Sequence, residues 1–469
     1  MTDADGAAPS LKRALGLRDL VFFYIACIVS LSSVAQVAQF GFASLTLYAL
    51  AIVTFLIPSG LVVAELHARE PGEGGLYLWT RSAFGDLHGF VAAWSYWLAN
   101  VVFLPTVALL ISRSALHVFG GDALELADSA LYNAVVCLAI LWVLTLLNVG
   151  GMERAKWIQN VGGAASAGAV LLLVAAAVAL VASGDSARLP TASDWLPDLT
   201  DLELLGYFAV VAFCFGGLEL APIMAGEIDR PASTVPRAIL IASVAVGIIY
   251  VAGTFALLVA LPEGDVGIIE GVAQAFTALD ASLGIPGLGV LGALLVTGST
   301  LGLFGSWMTG NARIPFVIGV AHYLPPAFAK VHPRYGSPWV SLLVQAALLT
   351  VLLLMSVAGS TIEEAFLVLL DMSIVLYYIP FLYLFAAFAR LMLVADDGPR
   401  LLAIFGSRPA IVTVAGVGFA ITLLSTVAAS VPTGEVAQPG LFLLKVVGGS
   451  AVLIALGLVF YARADARSR

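Results

Sequence analysis

Two stretches set poor helix formers in the middle of uncharged, apolar runs: Ser30-Leu31-Ser32-Ser33 and Phe215-Gly216-Gly217. A helix interrupted at such a point leaves N–H groups unpaired where one half begins and C=O groups unpaired where the other half ends. The donors can take a carboxylate and the acceptors can take an ammonium. A zwitterionic α-amino acid is the natural ligand of two such ends. Glu219 follows the glycine pair in an uncharged run with no basic residue beside it in sequence. An acid inside a membrane span marks a pathway or a proton step. The plainer role for the same residue is a hydrogen-bonded brace of its own helix.

These residues need elements to hold them. Leu20 to Ala64 form 45 consecutive positions without a charged side chain. One straight helix of that length would run roughly 67 Å, about twice the thickness of a bilayer core. Two spans with a turn near Gly41 are therefore expected. Further runs give twelve spans: Leu17–Phe40, Phe42–Ala64, Gly89–Ser112, Ser129–Gly150, Lys156–Ser183, Leu202–Gly226, Ala238–Leu261, Leu288–Ala312, Trp339–Val357, Glu364–Ala389, Ala410–Ser430 and Gly440–Tyr461. The fold class expected is an all-α polytopic membrane protein. Interruptions in spans one and six, five helices apart, enter the membrane from opposite sides and form the signature of a 5+5 inverted repeat with broken helices. Small residues that only allow close helix packing are the alternative. The expected organisation is a tail over 1–16, a first repeat over 17–183, an outer loop over 184–200, a second repeat over 201–393, two accessory helices over 394–462 and a tail over 463–469.

Composition agrees with lipid as the solvent. The chain is 61% hydrophobic and 11% charged, with a mean hydropathy of +1.03. Of the 21 lysines and arginines, all but Arg113, Arg188 and Lys445 fall on one side if the N-terminus is cytoplasmic. The positive-inside rule then places both termini in the cytoplasm and the protein in the inner (plasma) membrane. Acids gather on the other side, at Asp122, Glu125, Asp128, Asp185, Asp194, Asp198, Asp201, Glu203, Glu263 and Asp265. No basic face for nucleic acid exists. The first span is too long for a removable signal peptide and feeds directly into a second. Asp185–Asp201 and Glu263–Gly284 are expected to carry short interfacial helices, and Arg313–Pro338 a cytoplasmic half-helix and loop. Cys27, Cys137 and Cys214 lie in predicted spans and read as packing residues, with no metal-ligand spacing. No cofactor motif, catalytic constellation or phosphate-binding loop is present.

Pro71-Gly72-Glu73-Gly74-Gly75-Leu76-Tyr77 resembles the acidic, glycine-rich inner loop of the amino acid–polyamine–organocation transporters. Gly217-Leu218-Glu219, then Glu227-Ile228-Asp229-Arg230-Pro231 and Pro236-Arg237-Ala238, are similar to that family's G-F-E…E-x-x-x-P…P-R-A pattern. Leu324-Pro325-Pro326-Ala327-Phe328 and Gly336-Ser337-Pro338 fit as well. The flavour is that of bacterial arginine/agmatine and glutamate/GABA exchangers. The resemblance implies the leucine-transporter architecture and substrate contacts from Ala99 and Asn100 after Tyr96-Trp97-Leu98, from Trp307 and from Ser373. Phe213 stands where a gating tryptophan is expected. Leu31 and Ser33 replace expected glycines, Leu104 replaces an asparagine for a guanidinium, and Ser166 replaces the lysine of proton-coupled relatives.

The function expected is transmembrane transport of an amino acid or amine by alternating access, as an exchanger or facilitator. The carboxylate is expected near the N–H groups of Ser32 and Ser33, and the amine near carbonyls around Ser30 and Phe213–Phe215. Phe213 and Trp307 are the expected gates. Alternatives are proton symport through Glu219, sodium held by Thr297, Ser299, Thr300 and Ser306, an amino-acid sensor without flux, and a membrane enzyme acting on lipid-linked substrates. The last would need a polar cluster at one interface, which the sequence lacks. Oligomeric state is left open.

Overall fold

A computed structural model of the protein describes residues 11–184, 189–197, 203–261, 271–357, 362–394, 400–430 and 439–468. Of the outer acids, Asp185, Asp198, Asp201, Glu263 and Asp265 lie outside the described residues, as does Arg188. In chain order the helices are α1 (Leu17–Ile28), α2 (Leu31–Ala38), α3 (Ala43–Ala51), α4 (Ile57–Arg69), α5 (Leu76–Phe84), α6 (Asp86–Phe119), α7 (Ala130–Val149), α8 (Met152–Ser183), α9 (Glu203–Phe213) and α10 (Leu220–Ile223). There follow α11 (Pro231–Ala260), α12 (Gly271–Leu283), α13 (Leu288–Asn311), α14 (Arg313–Val320), α15 (Trp339–Val357), α16 (Ile362–Val394), α17 (Arg408–Ala429), α18 (Pro439–Leu443) and α19 (Gly449–Ser468). A π-turn over Ile52–Leu56 fuses α3 and α4 into one span.

Among the described residues, ten helices are long and apolar enough to cross a bilayer, and the bent pair α1–α2 makes an eleventh. Helix is the only way a lone segment can satisfy its backbone in hydrocarbon, and that makes this a polytopic membrane protein. The expected sixth segment is split more severely than the others. Its first piece, α9, ends at Phe213, and α10 covers only Leu220–Ile223. Neither piece is long enough to span alone. Of the outer segments, Glu263–Gly284 does carry a helix, α12, whereas the described part of Asp185–Asp201 is turn. The inner segment starts as the expected half-helix, α14.

Small residues set the closest contacts. Gly162 of α8 and Gly302 of α13 face each other so tightly that a Cβ on either would strike the other's backbone, and Gly163 meets the Phe22 carbonyl of α1 in the same way. Glycine allows such backbone-to-backbone approach in membranes, where apolar side chains gain nothing by leaving lipid. These contacts press α1, α8 and α13 into one block. Several of the largest fully buried aromatic residues, Tyr24, Tyr96, Tyr250 and Phe215 among them, lie around the two breaks.

Candidate functional site: a cavity between two helix breaks

Helix α1 stops at Ile28 because Val29 (φ −74°, ψ 109°) and Ser30 (φ −106°, ψ 114°) are extended. Ser30 then caps α2, its Oγ accepting from the Ser33 N–H at 3.4 Å. The axis bends by 40°. The interruption thus sits at Val29–Ser30, slightly before the expected one, and Leu31, Ser32 and Ser33 form the first turn of α2. Serine is a strong N-cap and only a mediocre interior residue, so the cluster starts a helix rather than dissolving one. First-turn N–H groups have no acceptor within their own helix.

Side chains from other helices meet the open ends. The Tyr250 hydroxyl donates to the Ile28 carbonyl at 2.7 Å and accepts from the Ser30 N–H at 3.0 Å. Trp307 Nε1 donates to the Cys27 carbonyl at 2.7 Å. Tyr250→Phe removes both hydroxyl contacts and should lower stability by about 1–3 kcal/mol, the usual penalty for stranding buried backbone groups. Thermal unfolding in detergent measures it.

The second break runs from Cys214 to Glu219. Gly217 has φ +129°, a conformation that side chains resist, and a Cβ there would lie 2.8 Å from Ile28 Cγ1. The breaks therefore touch. Tyr24 of α1 donates to the Leu218 carbonyl at 2.9 Å, a second tie between them. Glu219 is buried and takes three donors: Tyr96 at 2.7 Å and Tyr377 at 2.5 Å on Oε1, and the Gly217 N–H at 3.1 Å on Oε2. It joins α6 and α16 to the break.

A cavity of about 40 Å³ opens at this junction. At roughly 10–15 Å³ for each water position it has room for only a few waters. Of the expected contact residues, Ser30, Ser32, Ser33, Phe213, Gly216 and Trp307 line it. Gly217 lies behind the lining against Ile28. Phe215 turns away to pack edge-on against Tyr48 and Tyr250. Ala99, Asn100 and Ser373 are buried but not in the lining. Asn100 Nδ2 donates to the Tyr96 carbonyl at 2.8 Å, and Ser373 Oγ to the Leu370 carbonyl at 2.6 Å, so their polar groups are turned onto their own helices. Phe103, Phe213, Trp307 and Tyr377 make a chain of edge-on rings, with centroids 5.8 Å apart for Phe103–Phe213 and 5.2 Å for Phe213–Tyr377. Phe103 and Tyr250, which line the cavity, and Tyr24, which ties the two breaks together, are among the residues sequence reasoning missed. Cys27 and Cys214, expected as packing residues, line the cavity.

Two of the four hydroxyls considered for sodium are occupied within their own helix. Thr300 donates to Val296 and Ser306 to Gly302, at 2.9 and 2.8 Å. Ser299 lies 2.7 Å from Ser166. Thr297 Oγ1 is buried without a partner.

Beyond the second break the chain forms a polar lock. Arg313 and Glu227, each 1% exposed, pair through two hydrogen bonds of 2.8 Å. Arg313, counted in sequence among the basic residues of the cytoplasmic side, is buried, and Glu227 gives it a planar, bidentate partner. The Glu227 carbonyl accepts from the N–H groups of Ala14 and Leu15 at 2.9 and 3.0 Å, and Leu15 returns a bond to Asp229 N–H. Lys156 donates to the Ala14 carbonyl and to Asp19. The glycine-rich inner loop closes the far side: Gly74 N–H donates to the Ile223 carbonyl, and Gly75 (φ +42°) lies against Pro222 and Ile223.

Glu73 in that loop packs against Gly226. Burial first, then the neighbouring Glu227 charge, push its carboxyl above the usual value, while Arg313 pulls it down. A carboxyl raised on folding binds more protons in the native state, so its contribution is complete below the ordinary glutamate range and is lost as pH climbs through the raised value. Glu73→Gln should flatten the fall in melting temperature over that window above pH 4.5. A titration of melting temperature against pH checks it.

A family model described as amino acid permease matches residues 15–452. An uncharacterized transporter of Legionella pneumophila is 28% identical over 462 residues, covering 97% of this chain and 98% of the relative. A probable agmatine/putrescine antiporter of Lactococcus lactis is 24% identical over 423 residues, 90% of this chain and 89% of the relative. A glutamate/gamma-aminobutyrate antiporter of the same species is 23% identical over 392 residues, 82% and 77% respectively. Apolar spans, two facing helix breaks and these matches lead to one assignment: the chain belongs to the amino acid permease family of the amino acid–polyamine–organocation superfamily, and is a membrane transporter of amino acids or related amines rather than an enzyme.

Proposed function

We propose that this transporter works by alternating access as an exchanger, with the substrate's charged ends held between the two helix breaks. The observation that carries the reading is the junction itself: Ser30, Ser32 and Ser33 from one break and Phe213 and Gly216 from the other line one cavity. The first turn of α2 offers N–H groups to the carboxylate. The amine faces the carbonyls at the ends of α1 and α9, which keep a second lone pair beyond the bonds they already make. Trp307 and Phe213 act as gates, and Phe103 and Tyr377 complete the aromatic wall. Ala99, Asn100, Ser373, Phe215 and Gly217 act from behind by shaping the helices that carry the wall. Glu219 braces the second break.

In this reading α9 and α10 together are the sixth of twelve spans, the two breaks are related by an inverted five-helix repeat, and both termini face the cytoplasm. Ser166, bonded to Ser299 where proton-coupled relatives carry lysine, supports exchange over a lysine-based proton step. The relatives named as antiporters support it too. Liposomes preloaded with unlabelled amino acids and offered labelled ones should show counterflow for at least one compound. Trp307→Ala should reduce it at least tenfold. Uptake that needs an imposed proton or sodium gradient and ignores internal substrate would overturn exchange.

A further inference from the structure

We infer that the transported compound carries an uncharged side chain, in contrast to the agmatine, putrescine and glutamate named for the antiporter relatives. The inference rests on the reading of the cavity as the substrate site. Among the described residues, none that lines the cavity is charged. Its polar groups cluster at the first break, in Ser30, Ser32, Ser33 and Gln36, where a carboxylate and an amine would be met. The helices that must face the rest of the substrate contribute Phe103, Leu110, Leu303 and Leu370. Thr106, also in the lining, has its hydroxyl committed to the Phe103 carbonyl at 2.7 Å.

The acids nearby are not available as counter-charges. Glu219 is outside the lining and holds three donors, one of them Tyr377, which is part of the lining. Asp371 follows Leu370 on α16, and successive helical residues point about 100° apart, so Asp371 is directed elsewhere when Leu370 faces the cavity. A third charge on the substrate would therefore enter an apolar enclosure without a partner, the arrangement that burial penalises most. Trp307 and Tyr377 present ring faces that attract a cation, but ring attraction is weak beside the loss of an ammonium's hydration. The zwitterion's own two charges escape this objection because helix ends meet them.

The test uses wild-type protein in two formats with one panel: alanine, serine, valine and leucine against glutamate, arginine, agmatine and putrescine. In counterflow, the uncharged group should exchange. A hundredfold excess of any charged compound should leave that exchange within about twofold of its uninhibited rate, because an unpaired charge is excluded from the lining. In detergent, the same uncharged compounds should raise the melting temperature and the charged ones should not. Exchange or stabilisation by a charged compound at the concentrations that serve for the uncharged ones would overturn the inference and leave amino-acid exchange standing. Stabilisation by uncharged compounds without any counterflow would support the inference on substrate class while overturning the exchange reading. Neither counterflow nor stabilisation by any uncharged member would overturn both.

Discussion

Glu227→Ala should destabilise the protein by about 3–5 kcal/mol, because it leaves the Arg313 guanidinium buried without its carboxylate. Both groups are 1% exposed, so water cannot take over the lost bonds without opening the structure. The expected readout is a melting temperature in detergent lowered well beyond that of a surface control, with counterflow falling as well. The control that separates charge from packing is the double variant Glu227→Leu with Arg313→Met. Apolar replacement of a whole buried pair is often neutral or stabilising, so the double variant should recover most of the loss. A single variant as stable as wild type would mean that the pair contributes nothing to closure. The double variant should keep its fold yet lose control of this end of the transporter, visible as faster leak of preloaded substrate.

Glu219→Ala is the second large expectation. It removes one acceptor from three donors at once: the hydroxyls of Tyr96 and Tyr377 and the Gly217 N–H. Each stranded buried donor is worth about 1–3 kcal/mol, and shared relaxation makes the sum smaller than three separate penalties. A total loss of about 2–5 kcal/mol follows on that basis. Counterflow should fall more than stability does, since Tyr377 also belongs to the cavity wall. Glu219→Gln keeps an amide oxygen for the two tyrosines that share Oε1 but sets an NH2 against the Gly217 N–H, and should recover part of the stability. If Glu219→Ala melted like wild type while losing transport, the brace would be unimportant and a chemical role for the carboxyl would take its place.

Much of the fold was readable because lipid imposes a simple rule: long uncharged runs become helices, since no other lone segment satisfies its backbone. The runs around Gly89–Ser112, Lys156–Ser183 and Ala238–Leu261 all correspond to helices, each extended at one or both ends. Both breaks were readable as clusters of serine and glycine. Their limits were not, because Ser30 works as a cap and so moves the first gap toward Val29. The expected cavity residues divide by geometry. Ser32 and Trp307 face inward, whereas Asn100 and Ser373 spend their polar groups on carbonyls one turn back.

The partners of the breaks left no local signal. Tyr24, Tyr96 and Tyr250 look like ordinary core residues in their own helices, and each meets its partner across more than a hundred residues of sequence. The burial of Arg313 was not foreseen for a related reason. Charge at the end of a span reads as surface unless a distant carboxylate happens to face it, and Glu227 is 86 residues away. Periodicity and composition report what a segment is; they are silent on which distant groups it finds.

The short parallel bridge between Leu15 and Ile228 has a mechanical consequence. The strand leading into α1 hangs on the backbone of residue 227, whose side chain is at the same time clamped by Arg313. Two levers share one pin. Moving either the segment before α1 or the start of α14 away from residue 227 therefore loads the contact that holds the other, so the two are coupled through a single residue.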